Sequence, residues 1–336
     1  MFVHLRLHTE FSVVDGTNRI DEVAKAAAKD GQPALAITDL NNLFGAIKFY
    51  KEARGKGVKP LIGAEVNVAS ESGPPARIVL LVQNKQGYLN LCELLARAWT
   101  RNIVKNVPVC TWDWLRELGE GLIALAGAQA GPVGQALMKG DDAGAANLAL
   151  ELAGIFPHRF YMEIQRAGRA DDEAHVIAAV QLAARLSLPV VATHPVQFAT
   201  AEDYEAHEAR ICIAEGEILA NQRRVRKFTR EQYFKSSAEM QALFADVPTA
   251  ITNTLEVAKR CNLTLVLGKP QLPDFPTPNG MPADEYFRFA SFEGLEARLK
   301  HLFPDEAKRD KERPRYVERL EFELGTILKM GFPGYF

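Results

Sequence analysis

The chain has 336 residues, 47% of them hydrophobic and 24% charged, which supports one large folded domain or two and excludes a disordered, low-complexity chain. A formal net charge of −2 supplies no global attraction for a polyanion, so any nucleic-acid contact must be local or supplied by something outside this chain. Cys92, Cys110, Cys212 and Cys261 lack paired spacing and read as reduced thiols, and the longest apolar runs, Ile78–Val82 and Leu188–Ala192, are far too short for a bilayer. With no charged-then-apolar leader after Met1, the cytoplasm is the expected location.

In chain order, the alternation His4-Leu5-Arg6-Leu7-His8 predicts a half-buried strand over Val3–His8, with residues 4, 6 and 8 on one face and the leucines on the other. Helix Ile20–Lys29, strand Ala34–Thr38 and helix Phe44–Arg54 follow, the last with Phe44, Ile47, Phe49 and Tyr50 on its apolar face. Strands Pro60–Val68 and Arg77–Val82 then come in succession. Next are a helix near Gly87–Arg101, strand Leu122–Ala126, helices within Gly131–Phe156, strand Phe160–Ile164, helix Glu173–Leu186 and strand Val190–Thr193. This βα alternation predicts a parallel sheet or barrel of roughly seven strands.

After His194 the pattern is helical, over Ala201–Ala214, Ser237–Phe244 and Pro248–Arg260. Three prolines in Leu272-Pro-Asp-Phe-Pro-Thr-Pro-Asn-Gly deny backbone donors and mark a boundary, giving domains of 1–270 and 271–336. Two charged amphipathic helices, Ala283–His301 and Arg315–Leu328, precede the aromatic end Gly331-Phe-Pro-Gly-Tyr-Phe336, which reads as a truncated chain.

Functional groups of a βα barrel collect at the carboxyl ends of strands, where this chain places His8, Asp39, Glu65, Gln165 and His194. The imidazoles of His4 and His8 on one strand face suit zinc or manganese, but Arg6 between them cannot ligate and repels cations. Singly, each has an ordinary reading. Asp39 fits a cap or turn, Glu65 inside Leu61–Val66 fits a buried ion pair, and His194 and His207 fit a loop and a helix. His158, His175 and His301 sit among polar neighbours and read as exposed.

Taken jointly, these residues resemble the polymerase and histidinol phosphatase (PHP) family, in the form that begins bacterial C-family replicative polymerases. The likeness is carried by His4-Leu-Arg-Leu-His8-Thr, Ala34-Leu-Ala-Ile-Thr-Asp39-Leu-Asn-Asn-Leu-Phe-Gly45, Val58-Lys-Pro-Leu-Ile-Gly-Ala-Glu65, Gly87-Tyr-Leu-Asn-Leu91, Pro189-Val-Val-Ala-Thr193 and Glu202-Asp-Tyr-Glu-Ala-His207. It implies an α/β fold, a distorted (β/α)7 barrel with a C-terminal helical extension, residues 271–336, that leads into the polymerase palm.

Active PHP proteins are trinuclear metal phosphoesterases. The resemblance implies that His8, Asp39 and Glu65 keep three of nine ligand positions, whereas Arg6, Leu40, Arg77, Ala167, Pro195 and Gln197 replace others. No metal or cofactor is then expected in this chain; a residual metal would have only His8, Asp39 and Glu65. The Mg²⁺ of the polymerase reaction belongs to a palm site that the chain does not contain.

Arg6, Arg77 and Arg166 would then put cations where metal ions would sit, and Arg6 and Arg77 are expected to neutralise Asp39 and Glu65 in place of metal. The family then implies a non-catalytic scaffold that stabilises the rest of the polymerase alpha subunit and its holoenzyme. It would dock epsilon, the proofreading exonuclease subunit, and meet DNA only through the full-length protein, with no membrane partner. Two alternatives are a residual phosphoesterase, pyrophosphatase or 3′–5′ exonuclease using His8, Asp39 and Glu65 with His194, and a single-strand DNA binder. The basic stretches Arg223–Lys227 and Lys308–Arg315 read more simply as solvated surface than as a strand-binding groove.

Overall fold

The structure is a computed structural model and describes residues 1–70, 74–221, 223–269 and 272–336. Two compact units emerge, Met1–Thr264 and Leu265–Phe336. Pro270 and Gln271, at the boundary expected from sequence, lie outside the described residues.

A mixed α/β fold around a curled half-barrel sheet forms the first unit. Its strands are β1 (Ala34–Ile37), β2 (Lys59–Val68), β3 (Ala76–Val82), a small hairpin of β4 (Ile103–Val104) and β5 (Val107–Pro108), then β6 (Leu122–Leu125), β7 (Phe160–Gln165) and β8 (Val190–Thr193). The main sheet has the order β1-β2-β3-β6-β7-β8. Neighbours are parallel except that β3 runs antiparallel to both β2 and β6. The short link between β2 and β3 leaves no room for a crossover helix, so the chain folds back as a hairpin and the expected all-parallel order fails there.

That reversal matters for function. It puts the beginning of β3, where Arg77 pairs with Asn67, at the same rim as the carboxyl ends of its neighbours.

The expected strand Val3–His8 is extended but forms no ladder. The Ala36 amide donates to the His4 carbonyl and the Thr38 amide to the Leu7 carbonyl, while the His8 amide donates to the Val196 carbonyl beyond β8. The segment thus spans the gap between the two edges of the sheet, held by scattered bonds and one bridge, Leu7 to Val196. Thr38 interrupts the ladder by lending its hydroxyl, rather than its backbone, to the Leu7 amide. Regular alternation is lost as well: His4 turns to the Lys235 carbonyl, while Arg6 and His8 both reach Glu65.

Helices α1 (Ile20–Lys29), α2 (Ala46–Gly55), α3 (Lys85–Arg101), α4 (Trp112–Leu118), α5 (Pro132–Met138), α6 (Asp142–Ile155), α7 (Asp172–Leu186), α8 (Tyr204–Glu215), α9 (Ser237–Leu243) and α10 (Pro248–Arg260) complete the unit. Helix α1 buries Ile20, Val23, Ala24 and Ala27 and carries Asp21 and Glu22 at its start and Lys29 at its end, as the helix dipole favours. Asn84 caps α3 by accepting from the Gly87 amide. Helix α4 and the β4–β5 hairpin are additions to the sequence reading. Helix α2 starts later than expected, so Phe44 precedes it and is exposed rather than part of its buried face.

One face of the curled sheet is apolar at one end and ionic at the other. Leu61, Val79, Leu81, Ile123, Leu125, Tyr161 and Val191 form a buried layer with Val3 and Leu5, closed by Val257 and Ala258 of α10 and by Cys261 just after it. Side chains alternate along a strand, so the same face continues from Leu61 to Glu65, from Val79 to Arg77, from Tyr161 to Glu163 and from Val191 to Thr193. Sheet geometry alone therefore gathers the charged groups at one rim.

The second unit holds α11 (Ala283–Leu302) and α12 (Glu306–Lys329), packed together with Leu299 and Leu324 buried. Helix α12 starts nine residues before the expected Arg315 and runs through Pro314. Asp305 caps it by accepting from the Lys308 amide, and Arg313 pairs with Glu296 across the two helices. Among the described residues no helix is long and apolar enough to cross a membrane.

Candidate functional site

Glu65, in the middle of β2 and wholly buried, is the centre of the rim cluster. Its Oε2 accepts from Arg6 Nη2 at 2.7 Å and His8 Nε2 at 2.8 Å, and its Oε1 accepts from Arg77 Nη1 at 3.2 Å. Burial alone would raise this carboxyl; Arg6, His8 and Arg77 outweigh it and hold the group well below the usual carboxylate range. Arg6 also donates to Glu163 Oε1 at 3.3 Å.

Both ring nitrogens of His8 are engaged, Nδ1 with Asp15 Oδ1 at 2.8 Å and Nε2 with Glu65. Burial would depress the imidazole, but the two carboxylates that flank it outweigh burial and raise it to about 10, which favours the charged ring. Asp15 is held low by the same pairing against its own desolvation, with Arg77 3.7 Å away. Ser12 donates to Asp15 at 2.8 Å and accepts from the Leu40 amide, tying the loop after His8 to the end of β1.

Asp39 does not meet either arginine. Its carboxylate accepts from the Thr9 amide at 2.6 Å and the Thr9 hydroxyl at 2.8 Å, and burial still pushes it up to about 6. The expected pairing of Arg6 and Arg77 with Asp39 is thus corrected: both arginines converge on Glu65, because the β2–β3 register brings Arg77 beside that strand. Arg166 is likewise not in the cluster. It follows β7 and faces outward, bonded to Glu173, Asp246 and the Leu243 carbonyl. Arg169 is the inward cation of that loop, donating to Gln165 and lowered first by burial, with Arg6 adding to the repulsion.

The other sequence candidates scatter. The Ala167 amide donates to Asp172, the Pro195 carbonyl accepts from Gln232, and Gln197 is buried with its backbone paired to Gln232 and Thr17. His194 engages the Glu231 carbonyl and His207 the Asp15 carbonyl, and burial holds the imidazole of His194 down to about 3. His175, expected to be exposed, is buried on α7, while His158 and His301 are exposed.

Sequence reasoning missed Asp15 and Glu163. Glu163 accepts from the Gly127 amide at 2.7 Å and from Thr193. It carries the signal that singled out Glu65, a carboxylate inside an apolar strand, and was discoverable on that ground. Asp15, in a turn beside Gly16, carries no such mark. Among the described residues no group of three or more His, Cys, Asp or Glu side chains is arranged to hold a metal ion.

Residues 4–167 match the family model described as the PHP domain. This chain carries a PHP domain. Over its whole length it is 52% identical to DNA polymerase III subunit alpha of Pseudomonas aeruginosa and 45% identical to that of Escherichia coli K12, covering 29% of each. The match lies in the N-terminal region of those relatives, so the chain spans under a third of the length of the curated proteins it matches. Among solved structures, an amidohydrolase from Chromobacterium violaceum is similar at a TM-score of 0.42 and 15% identity, over 62% of this chain and 97% of that one. In this PHP domain the rim that Glu65 occupies is filled by ion pairs.

Proposed function

We propose that this PHP domain is a non-catalytic scaffold of a cytoplasmic replicative DNA polymerase alpha subunit, a DNA-directed nucleotidyltransferase. In this reading His8, Asp39 and Glu65 are remnants of a metal site. The carrying observation is that both oxygens of Glu65 and both ring nitrogens of His8 are already engaged.

The residues present do not fit a divalent ion. A metal ligand must offer a free lone pair, and both ring nitrogens of His8 are already hydrogen-bonded, to Asp15 and to Glu65. Arg6 and Arg77 stand within hydrogen-bond distance of the carboxylate that would ligate, and bring two fixed positive charges to the place an ion would need. The ion pairs instead tie the N-terminal segment, β2, β3 and β7 together, which suits a structural role.

A scaffold without its own hydrolytic centre fits a replicase whose proofreading is done by a separate subunit, and we assign this domain the docking of that exonuclease, epsilon. The remainder of alpha and the holoenzyme are its other partners, with DNA met through the full-length protein. Elemental analysis of the purified chain after dialysis tests the first part: zinc, manganese and iron are expected well below one per chain, and a stoichiometric metal overturns it. Calorimetry of the folded chain with the exonuclease subunit tests the second, with absence of binding as the refuting result.

A further inference from the structure

We infer that helix α8 and residues 228–235 form an acid-sensitive strap, fastened to the first unit by three buried neutral histidines and released when those histidines take up protons. None of the three is used in the scaffold role proposed above.

Three hydrogen bonds of one kind fasten it. His4 Nε2 meets the Lys235 carbonyl at 2.7 Å, His194 Nε2 the Glu231 carbonyl at 2.7 Å, and His207 Nε2, from α8, the Asp15 carbonyl at 3.1 Å. A carbonyl oxygen only accepts, so each ring must carry its hydrogen on Nε2 and keep a lone pair on Nδ1. All three residues are wholly buried, and none of the three Nδ1 atoms has a hydrogen-bond partner among the described residues. Aromatic side chains flank two of the rings: Phe234 lies 4.6 Å from His4 between ring centroids, and Phe198 and Phe228 lie 5.3 and 4.7 Å from His207.

A proton can enter these rings only at Nδ1, where it creates a charge and an N–H without an acceptor in a largely apolar place. Asp30 and Glu239 favour that charge at His4, and Asp15 and Glu208 favour it at His207 while His8 opposes it. At His194, the neighbouring His4, Lys235 and Arg169 all oppose it. Burial outweighs the attractions, holding His4 down to about 4 and His194 to about 3, and lowering His207 as well. The His4 and His194 rings lie 6.4 Å apart between centroids, so a charge on one further disfavours a charge on the other. The three are therefore neutral while the strap is closed and charge when it lifts, and acid draws it open.

The other attachments of the strap are scattered bonds and no ladder. Arg210 donates to the Val13 and Glu10 carbonyls, the Thr229 hydroxyl to the Ala167 carbonyl just beyond β7, and the Phe234 amide to the Phe198 carbonyl. Helix α8 also turns Ile213 to solvent, 84% exposed, so that side chain adds nothing to its hold. A segment fastened in this way opens at a lower free energy than the sheet beneath it.

The released histidines return to the ordinary 6.5, so their hold on the strap is whole above about pH 6.5 and is lost as pH falls below it. Between pH 7.5 and 5.5 each one should raise the opening equilibrium about tenfold. Glu65 and Asp15 are held low and stay ionised at pH 5.5, so the ion pairs of the rim do not open with the strap.

Hydrogen exchange of the whole chain at pH 7.5 and 5.5, corrected for the intrinsic pH dependence of amide exchange, tests this. Peptides covering α8 and residues 228–235 are expected to lose protection at least about tenfold at pH 5.5, while β2 and β3 keep theirs. Unchanged protection of the strap, or an equal loss in β2 and β3, overturns the inference. His4→Gln and His207→Gln retain a side-chain N–H but cannot be charged, and each is expected to shrink the pH effect about tenfold. A full effect in both variants assigns it to other groups and overturns the inference. Nitrogen NMR of the wild-type rings is a check that needs no variant: at pH 7.5 the hydrogen is expected on Nε2 of His4, His194 and His207, and Nδ1–H in any of them overturns the fastening.

Discussion

Glu65 shows how one residue takes its character from its partners. A lone buried carboxylate would be neutral; here it stays ionised because two guanidiniums and an imidazolium face it. Glu65→Gln removes that charge and leaves Arg6, His8 and Arg77 crowded with less compensation. We expect a loss of about 3 kcal/mol or more in the unfolding free energy by chemical denaturation. A loss under about 1 kcal/mol would show that the three cations find adequate partners in Glu163 and Asp15.

His8 sets the pH response. Its folded value near 10 lies above the ordinary 6.5, so its contribution is complete below about pH 6.5 and disappears as pH rises through 10. Glu65 and Asp15 are lowered, so their contribution holds above the ordinary carboxylate values and is lost as pH falls beneath them. Unfolding free energy should therefore decline between pH 7 and 10 more steeply in the wild type than in His8→Gln. Equal slopes in the two proteins would mean that His8 is not charged in the folded state.

At the scale of elements, the turn after β6 is the most constrained point near the site. Gly127 has φ of 80°, and a Cβ there would lie 1.7 Å from the Arg77 carbonyl. Its amide is also one of the bonds that hold Glu163. Gly127→Ala must therefore move the start of β3, and Arg77 with it, at a cost of about 3 kcal/mol. The thermal midpoint of this variant is the measurement, and a midpoint within a degree of wild type would contradict the packing.

Element boundaries were legible where periodicity and caps agreed. Helices α1 and α10 match their expected ranges, the first on its apolar face and acidic start, the second on Pro248 at its first position. The segment at residues 3–8 was misread because alternation reports side-chain exposure, not the hydrogen bonds that make a strand. The expected start of α12 at Arg315 came too late, since Asp305 carries the cap and the helix runs through Pro314.

For the whole molecule, the basic run Arg223–Lys227 illustrates why a local charge cluster says little about DNA. Arg224 pairs with Glu208, Arg226 with Glu205 and Lys227 with Glu215, all carboxylates of α8. With the net charge of −2, single-stranded DNA should not be retained by this chain at 0.15 M salt in filter binding. Nor should added Mn²⁺ or Zn²⁺ yield hydrolysis of such DNA under the proposed scaffold reading. Hydrolysis that is abolished by Asp39→Ala would refute it.

The sequence by itself determined the α/β class, the helical C-terminal region and which side chains interrupt apolar strands, because these depend on periodicity, capping and burial along the local chain. Arg6 standing beside His8 was visible there as well. Only the tertiary structure decided which charges meet. The reversal of β3 carries Arg77 to Glu65, β7 brings Glu163 to Arg6, and Asp39 is engaged by Thr9. Residues far apart in the chain acquire a common electrostatic state only when the sheet sets them a few ångströms from one another.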